Sequence, residues 1–317
     1  MPKDITLTWS APASDGGSPV TGYDLGATPS GGSETVTSLG LVTTHSITNV
    51  NNMVLNTYRV RAVNANGNGD WTASRPVVAF LPVDLSQVSC WIDCDDSSTI
   101  TETNGTVAQV ADKSGRGVNC EQPTASLQPT VSANAINNRD ALLFDGVDDV
   151  LRFNHNSGNS DTPVGSGGGT QDTFAFFFVA KVNSLISKAF YAQSSGSNNI
   201  NLKAGDVNGN ATMTVGSNVI TASSFAAAGD TFLVAYIAGP TGIQIYKNGT
   251  QVASSGTAAA TVNVDTGLLM NQIDGLLGEF VAFNATALTT AERQAVEGYL
   301  AQKWGLTGDL PVGHPYA

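Results

Sequence analysis

Asp4-Ile5-Thr6-Leu7-Thr8-Trp9-Ser10 alternates apolar and polar residues, which sends Ile5, Leu7 and Trp9 to one face of an extended segment and the polar residues to the other. That is the pattern of a half-buried strand. The next stretch, Ala11 to Pro19, collects Pro, Ser, Asp and Gly and reads as a loop. Extension resumes from Val20 to Gly26 with Tyr23 and Leu25 facing inward, and Tyr58 to Ala65 alternates again before a turn at Asn66-Gly67. Short strands at this spacing predict a β-sandwich. Arg75 to Phe80 reads as its last strand, and Leu81-Pro82-Val83-Asp84 as a short junction.

Beyond residue 88 the strands lengthen. Thr173-Phe174-Ala175-Phe176-Phe177-Phe178-Val179-Ala180 is too uniformly apolar for a strand buried on one side, and Thr231 to Ala238 is similar, so both are expected at the centre of a sheet. Lys247-Asn248-Gly249 between two alternating runs predicts a hairpin with a primed turn. Ser157 to Thr170 is glycine-rich and reads as a mobile surface loop. Near the end the β pattern breaks: Thr289-Thr290-Ala291-Glu292 fits a capping box, Val296, Leu300 and Trp304 recur every four residues, and Gly305 is placed to stop a short helix.

A chain of 317 residues exceeds what one core usually organises, so two domains are expected. Only 13% of residues are charged, and the wealth of Gly favours turn-dense β structure over long helices. The net charge is −12 with only 14 Lys and Arg, which argues against a nucleic-acid partner. Cys90 and Cys94 on one extended strand would lie about 13 Å apart, beyond disulfide reach, and all three cysteines are expected to be thiols. No run of about 18 apolar residues occurs, which excludes a membrane-inserted helix. Met1-Pro2-Lys3-Asp4 lacks the basic and apolar stretches of a signal peptide, so synthesis in a cytoplasm is expected.

Leu7-Thr8-Trp9-Ser10-Ala11-Pro12, then Asp15 to Tyr23, then Tyr58-Arg59-Val60-Arg61-Ala62-Val63-Asn64 resemble the fibronectin type III family in its motif order. The resemblance implies an immunoglobulin-like sandwich over residues 1–81, with Trp9 in the core and Tyr58 at the tyrosine corner. The family's first strand has no counterpart before residue 4. This predicts an open sheet edge at Ile5, Leu7 and Trp9, which we expect to serve as an assembly contact.

Residues 82–317 resemble the concanavalin A-like lectin/glucanase superfamily in its laminin G-like branch. The matching stretches are Cys90 to Asp96, Asp112 to Asn119, Leu143 to Asp149, Tyr246 to Gly249, Gly278 to Asn284, and Trp304-Gly305-Leu306 to Tyr316. The implied fold is a jelly-roll sandwich with one short C-terminal helix, making the whole chain all-β. Such domains are found in secreted bacterial proteins and in virion proteins of tailed phages. With no export signal in view, the expected setting is a virion: a non-enzymatic accessory protein, a decoration or tail-surface subunit, partnered by capsid or tail proteins in a homo-oligomer or larger assembly. The alternative is an extracellular carbohydrate-binding adhesin or receptor-binding module, and cell-surface glycans are candidate partners for both.

Glucanases of that superfamily need two carboxylates about 5 Å apart on one face, and no Glu-x-Asp-x-Glu triplet occurs here; Glu279 stands alone in its segment. His45, His155 and His314 give no metal-ligand spacing with cysteine. A non-enzyme is expected. Asp145, Asp148 and Asp149 are candidate ligands for calcium, which related laminin G-like domains bind at the rim; the same residues can instead shape a turn centred on Gly146. Asp112 and Asn119 are read as holding a glycine-rich turn. Trp71 and Tyr316 are candidate sugar platforms, whereas Trp91 and Trp304 read as core.

Overall fold

In a computed structural model of the chain, which describes residues 3–29, 31–50, 55–153, 162–164, 170–193, 199–263 and 267–317, the opening alternation becomes strand β1 (Lys3–Thr8). It is followed by β2 (Val20–Pro29), β3 (Thr35–Leu39), β4 (Thr44–Val50), β5 (Leu55–Asn64), β6 (Gly67–Asn68) and β7 (Arg75–Val78). Among the described residues strands β1 and β4 pair only with each other, while β3, β2, β5 and β6 form the facing sheet, with β7 added to β5. Between the sheets Tyr23, Leu25, Tyr58 and Val60 form a small core against which Ile5, Leu7 and Trp9 pack half-buried. The last strand ends at Val78, two residues short of the expected Phe80. The junction holds one 3-10 turn, Pro82–Asp84, closed by the Asp84 carboxylate accepting the Leu81 amide at 2.8 Å.

The rest of the chain runs β8 (Val88–Asp93), β9 (Ile100–Thr103), β10 (Thr106–Val110), β11 (Cys120–Glu121), β12 (Thr130–Ile136), β13 (Arg139–Asp145), β14 (Leu151–Phe153), β15 (Thr170–Gln171) and β16 (Phe174–Val182). Next come β17 (Ala189–Gln193), β18 (Ile200–Ala204), β19 (Ala211–Val215), β20 (Asn218–Ala222), β21 (Thr231–Gly239), β22 (Gly242–Lys247), β23 (Thr250–Ser255), β24 (Val262–Asn263), β25 (Gly267–Asn271) and β26 (Asp274–Asn284). Helix α1 (Thr290–Trp304) closes the series.

Two antiparallel sheets result. One has eight strands, in the order β12-β13-β26-β16-β21-β22-β23 with β8 also on β26; the other has nine, β20-β19-β18-β17-β25-β14-β11-β10-β9. The uniformly apolar segments are central as expected, since β16 lies between β26 and β21. Their two faces serve two cores. Phe174, Phe176 and Phe178 point into the sandwich. Phe177 and Val179 point the other way, into a second core roofed by Val296, Leu300 and Trp304 of α1. The whole chain is therefore all-β with one helix, as the sequence predicts.

Local expectations hold as well. Asn248 (φ 47°) and Gly249 (φ 78°) make the primed turn between β22 and β23. Thr289 and Glu292 form the capping box, and Gly305 ends the helix in the left-handed conformation. Asp112 accepts the amides of Trp91, Ser114 and Val118, and Asn119 accepts that of Asp112, so this pair holds its turn. All three cysteines are buried free thiols, and burial pushes each of them up. No helix among the described residues is long and apolar enough to cross a membrane. The glycine-rich stretch expected to be a mobile surface loop, Ser157 to Thr170, lies outside the described residues apart from 162–164 and 170, as does His155.

Candidate functional site

The outer face of the eight-stranded sheet is covered by α1, whereas no helix among the described residues lies on the outer face of the nine-stranded sheet. Alternation fixes what that open face presents. In β14, Leu151 and Phe153 are buried and Arg152 is exposed; in β18, Ile200 and Leu202 point in and Asn201 points out. Register extends the row: Thr101 lies beside Gln109, Gln109 beside Glu121, and Glu121 beside Arg152. Arg152 in turn neighbours Leu268. Next to this row, Asn104, Thr106, Gln109, Glu121, Gln122 and Gln128 line a hollow of ≈ 590 Å³. Ala108, Pro123 and Ala125 complete its lining, and three of its polar side chains are locked: Gln122 donates to the Val150 carbonyl, Gln128 donates to the Gln122 carbonyl, and the Thr106 hydroxyl donates to Gln128 Oε1.

The sequence-predicted sugar platforms are not there. Tyr316 is 5% exposed and packs against Gly298 of α1, so its ring belongs to the second core and offers no stacking surface. Trp71 is engaged by two guanidinium groups, with Arg59 at 4.6 Å and Arg61 at 4.4 Å from its ring centroid. Arg59 pairs with Glu34, and Arg61 pairs with Asp24. Its aromatic surface is thus spent on cations within the module.

Asp145, Asp148 and Asp149 do converge, each offering an oxygen within 4.8 Å of the others. Asp145 Oδ1 accepts the amides of Val147 and Asp148, and Asp149 Oδ2 accepts the Asp145 amide at 3.0 Å. They shape the Gly146 turn, where a Cβ would meet Asp274 Cβ at 2.7 Å. Burial, with the charges of Asp145 and Asp148 adding to it, pushes the Asp149 carboxyl up to about 6. The donor set fits a hard cation, because the Asp148 carboxylate and the remaining oxygens of Asp145 and Asp149 could hold calcium and supply charge neutralisation there.

One cluster escaped the sequence reading. Glu279 of β26 lies opposite Asp93 of β8 across the β8–β26 ladder. It has no exposed surface, and it accepts from Trp91 Nε1 (2.7 Å), Trp304 Nε1 (2.8 Å) and the Tyr299 hydroxyl (2.8 Å). Lys303 reaches Glu279 at 2.8 Å and Asp93 at 2.5 Å, while Lys113 bridges Asp93 and Asp96. Burial pushes Glu279 up and Lys303 pulls it back. Two neighbouring carboxylates normally suggest acid–base chemistry, but these are roofed by α1 and saturated with donors. No single segment carries both acids, so only the strand register reveals the pair.

At the other end of the chain, a two-stranded sheet facing the β3-β2-β5 sheet, with Trp9, Tyr23 and Tyr58 packed between them, decides the relationship of the first module. Residues 1–78 match the fibronectin type III domain. Within this fibronectin type III module, Tyr58 is buried in the small core and Trp9, expected in the core, packs half-buried against it.

Solved structures similar to the chain include domain 4 of an extracellular GH43 arabinanase from Geobacillus stearothermophilus, in complex with arabinotriose. The identity is 15% and the TM-score 0.43, over 65% of this chain and 96% of that one. A Trypanosoma rangeli sialidase in complex with the inhibitor DANA is 12% identical at a TM-score of 0.48, over 77% of this chain and 42% of that one. The binding domain of botulinum neurotoxin DC in complex with SialylT is 15% identical at 0.39, over 68% and 51%.

Proposed function

We propose that this chain is a non-catalytic binding protein whose nine-stranded sheet receives glycans on its open face. The observation that carries the reading is that face itself: a row of hydroxyl, amide and charged side chains from Thr101 to Arg152, beside an amide-lined hollow, with no helix among the described residues across it. Sugars present many hydroxyls and little charge, and they are held by such donors and acceptors on a rigid scaffold. The burial of Asp93 and Glu279 under α1 supports a non-enzymatic role, since a glycan cannot reach them. We further propose that residues 82–317 form one jelly-roll unit, and that the chain is an accessory subunit of a phage particle, on its capsid or tail surface. Support for the phage setting is the family resemblance alone, which spans virion and secreted proteins.

The test is glycan-array binding by the full chain alongside its Arg152→Ala variant, with mass spectrometry of purified particles. Glycan binding that weakens about tenfold in the variant supports the open face. Binding unchanged by Arg152→Ala, or no binding to any glycan, overturns it; glycan binding by a chain absent from particles replaces the phage setting with a secreted adhesin.

A further inference from the structure

We propose that the fibronectin type III module takes up an extended strand from a different protein, one that alternates apolar residues and carries a Lys or Arg beside them. Among the described residues strand β1 pairs with β4 alone, which leaves its other edge without a partner strand there. The main-chain register shows which groups that edge offers. Trp9 donates its amide to the Thr43 carbonyl at 3.0 Å, in the same register that sets Leu7 opposite His45 and Thr8 opposite Thr44. Hydrogen-bonded and non-bonded pairs alternate along an antiparallel ladder. Leu7 and Trp9 therefore bond β4, while the N–H and C=O groups of Thr6 and Thr8 point outward. Neither proline nor an inward-pointing charge blunts the edge between Ile5 and Thr8. The contacts at this edge are thus the main chain of Thr6 and Thr8 rather than the expected side chains of Ile5, Leu7 and Trp9, which face the module's own core.

Beside the Trp9 end of this edge lies a cleft of ≈ 530 Å³, walled by Trp9, Val20, Tyr23, Val60 and Ala62. The indole Nε1 of Trp9, a residue that lines this cleft, is buried without a hydrogen-bond partner, and it is the one such side-chain atom among the described residues. A strand laid along β1 would pair with Thr6 and Thr8, drop alternate apolar side chains over these walls, and bring an acceptor to the indole. Charge selects its source. The cleft also carries Asp15 and Asp70, and its one cation among the described residues, Arg61, is turned to the opposite face against Asp24 and Trp71. A second copy would bring the same acidic rim on a chain of net charge −12, whereas a basic flank complements it. This proposal is independent of the glycan reading.

Amide exchange of the full chain, with a short capped peptide of alternating valine and threonine and a lysine at each end as probe, tests it. We expect exchange at Thr6 and Thr8 to slow by about tenfold or more, with Leu7 and Trp9 unchanged. Thr6→Pro removes an outward donor and no β4 bond, and should abolish the protection. Trp9→Phe, which keeps the ring and loses the donor, should weaken peptide binding severalfold, so the proposal stays testable if the proline variant does not fold. No slowing at millimolar peptide would overturn it, as would equal slowing by the same peptide ended with glutamate. Protection that rises with protein concentration alone would assign the edge to a second copy and overturn it too.

Discussion

Asp149 shows how one side chain can make a turn depend on pH. Its carboxylate accepts the Asp145 amide, yet burial beside two other acids lifts it from an ordinary 3.8 to about 6. As pH rises from about 4 to about 6, the unfolded chain gives up this proton while the folded chain keeps it. The folded state then binds more protons, so the contribution of Asp149 to stability falls through that window and stays lost above it. Asn offers the same acceptor without the charge. Asp149→Asn should flatten this part of the pH profile and stabilise the chain at pH 7 by on the order of 1 kcal/mol, allowing for solvent screening. Urea melts at pH 4, 6 and 7.5 measure it; an unchanged slope would mean that the carboxyl is not perturbed. Calcium offers a second way to settle the same charges. Because Asp148 has an uncommitted role in the turn's bonds, Asp148→Asn is the variant expected to lose calcium heat in isothermal titration, and a wild-type chain giving neither heat nor a melting shift would leave the turn role alone.

Helix α1 shows what a linear reading can and cannot deliver. Its start, stop and buried stripe follow from Thr289, Glu292, Gly305 and the Val296-Leu300-Trp304 spacing, because caps and periodicity are local. Its second buried flank is not local: Arg293 and Glu297 pair at 2.5 Å inside the structure, and His314 Nε2 meets Glu297 at 3.1 Å from the extended tail. Polar residues at helical spacing look like a solvated face until the tail folds over them, and this is also why Tyr316 read as exposed. The helix seats itself on β26 through Gly278, where a Cβ would stand 2.8–3.0 Å from three atoms of the Trp304 ring. That ring cannot easily retreat, since its Nε1 is tied to Glu279. Gly278→Ala should cost about 1–3 kcal/mol by overpacking. Urea unfolding followed by tryptophan fluorescence checks this, and a cost near zero would show that the helix rides loosely on its sheet.

Across the whole molecule, the sheets and their central strands were legible because alternation and apolar runs record burial directly. The Asp93–Glu279–Lys303 knot was not, because it joins β8 to β26 and the end of α1, which lie far along the chain from it. This knot fastens the helix to the sandwich, together with Asn137, which donates to the Trp304 carbonyl at 2.7 Å, and Arg139, which donates to the Lys303 carbonyl. Lys303 is the cation that reaches both carboxylates. Lys303→Met keeps much of the aliphatic stem but leaves Glu279 buried without its cation, which should cost about 3–5 kcal/mol at pH 7. The sign of the pH dependence then separates this cause from lost packing. Burial already holds Glu279 above its ordinary 4.5, and Lys303 is the main influence holding it down. Without the lysine the folded value rises further, so the folded variant keeps its proton to higher pH than the unfolded chain does, and stability declines as pH climbs above 4.5. The deficit of Lys303→Met relative to the wild-type chain should therefore be largest near neutrality and shrink toward pH 4.5, read from paired urea titrations. A deficit of the same size at every pH would mean that the lysine acts through its methylenes, and that Glu279 is neutral in the native chain.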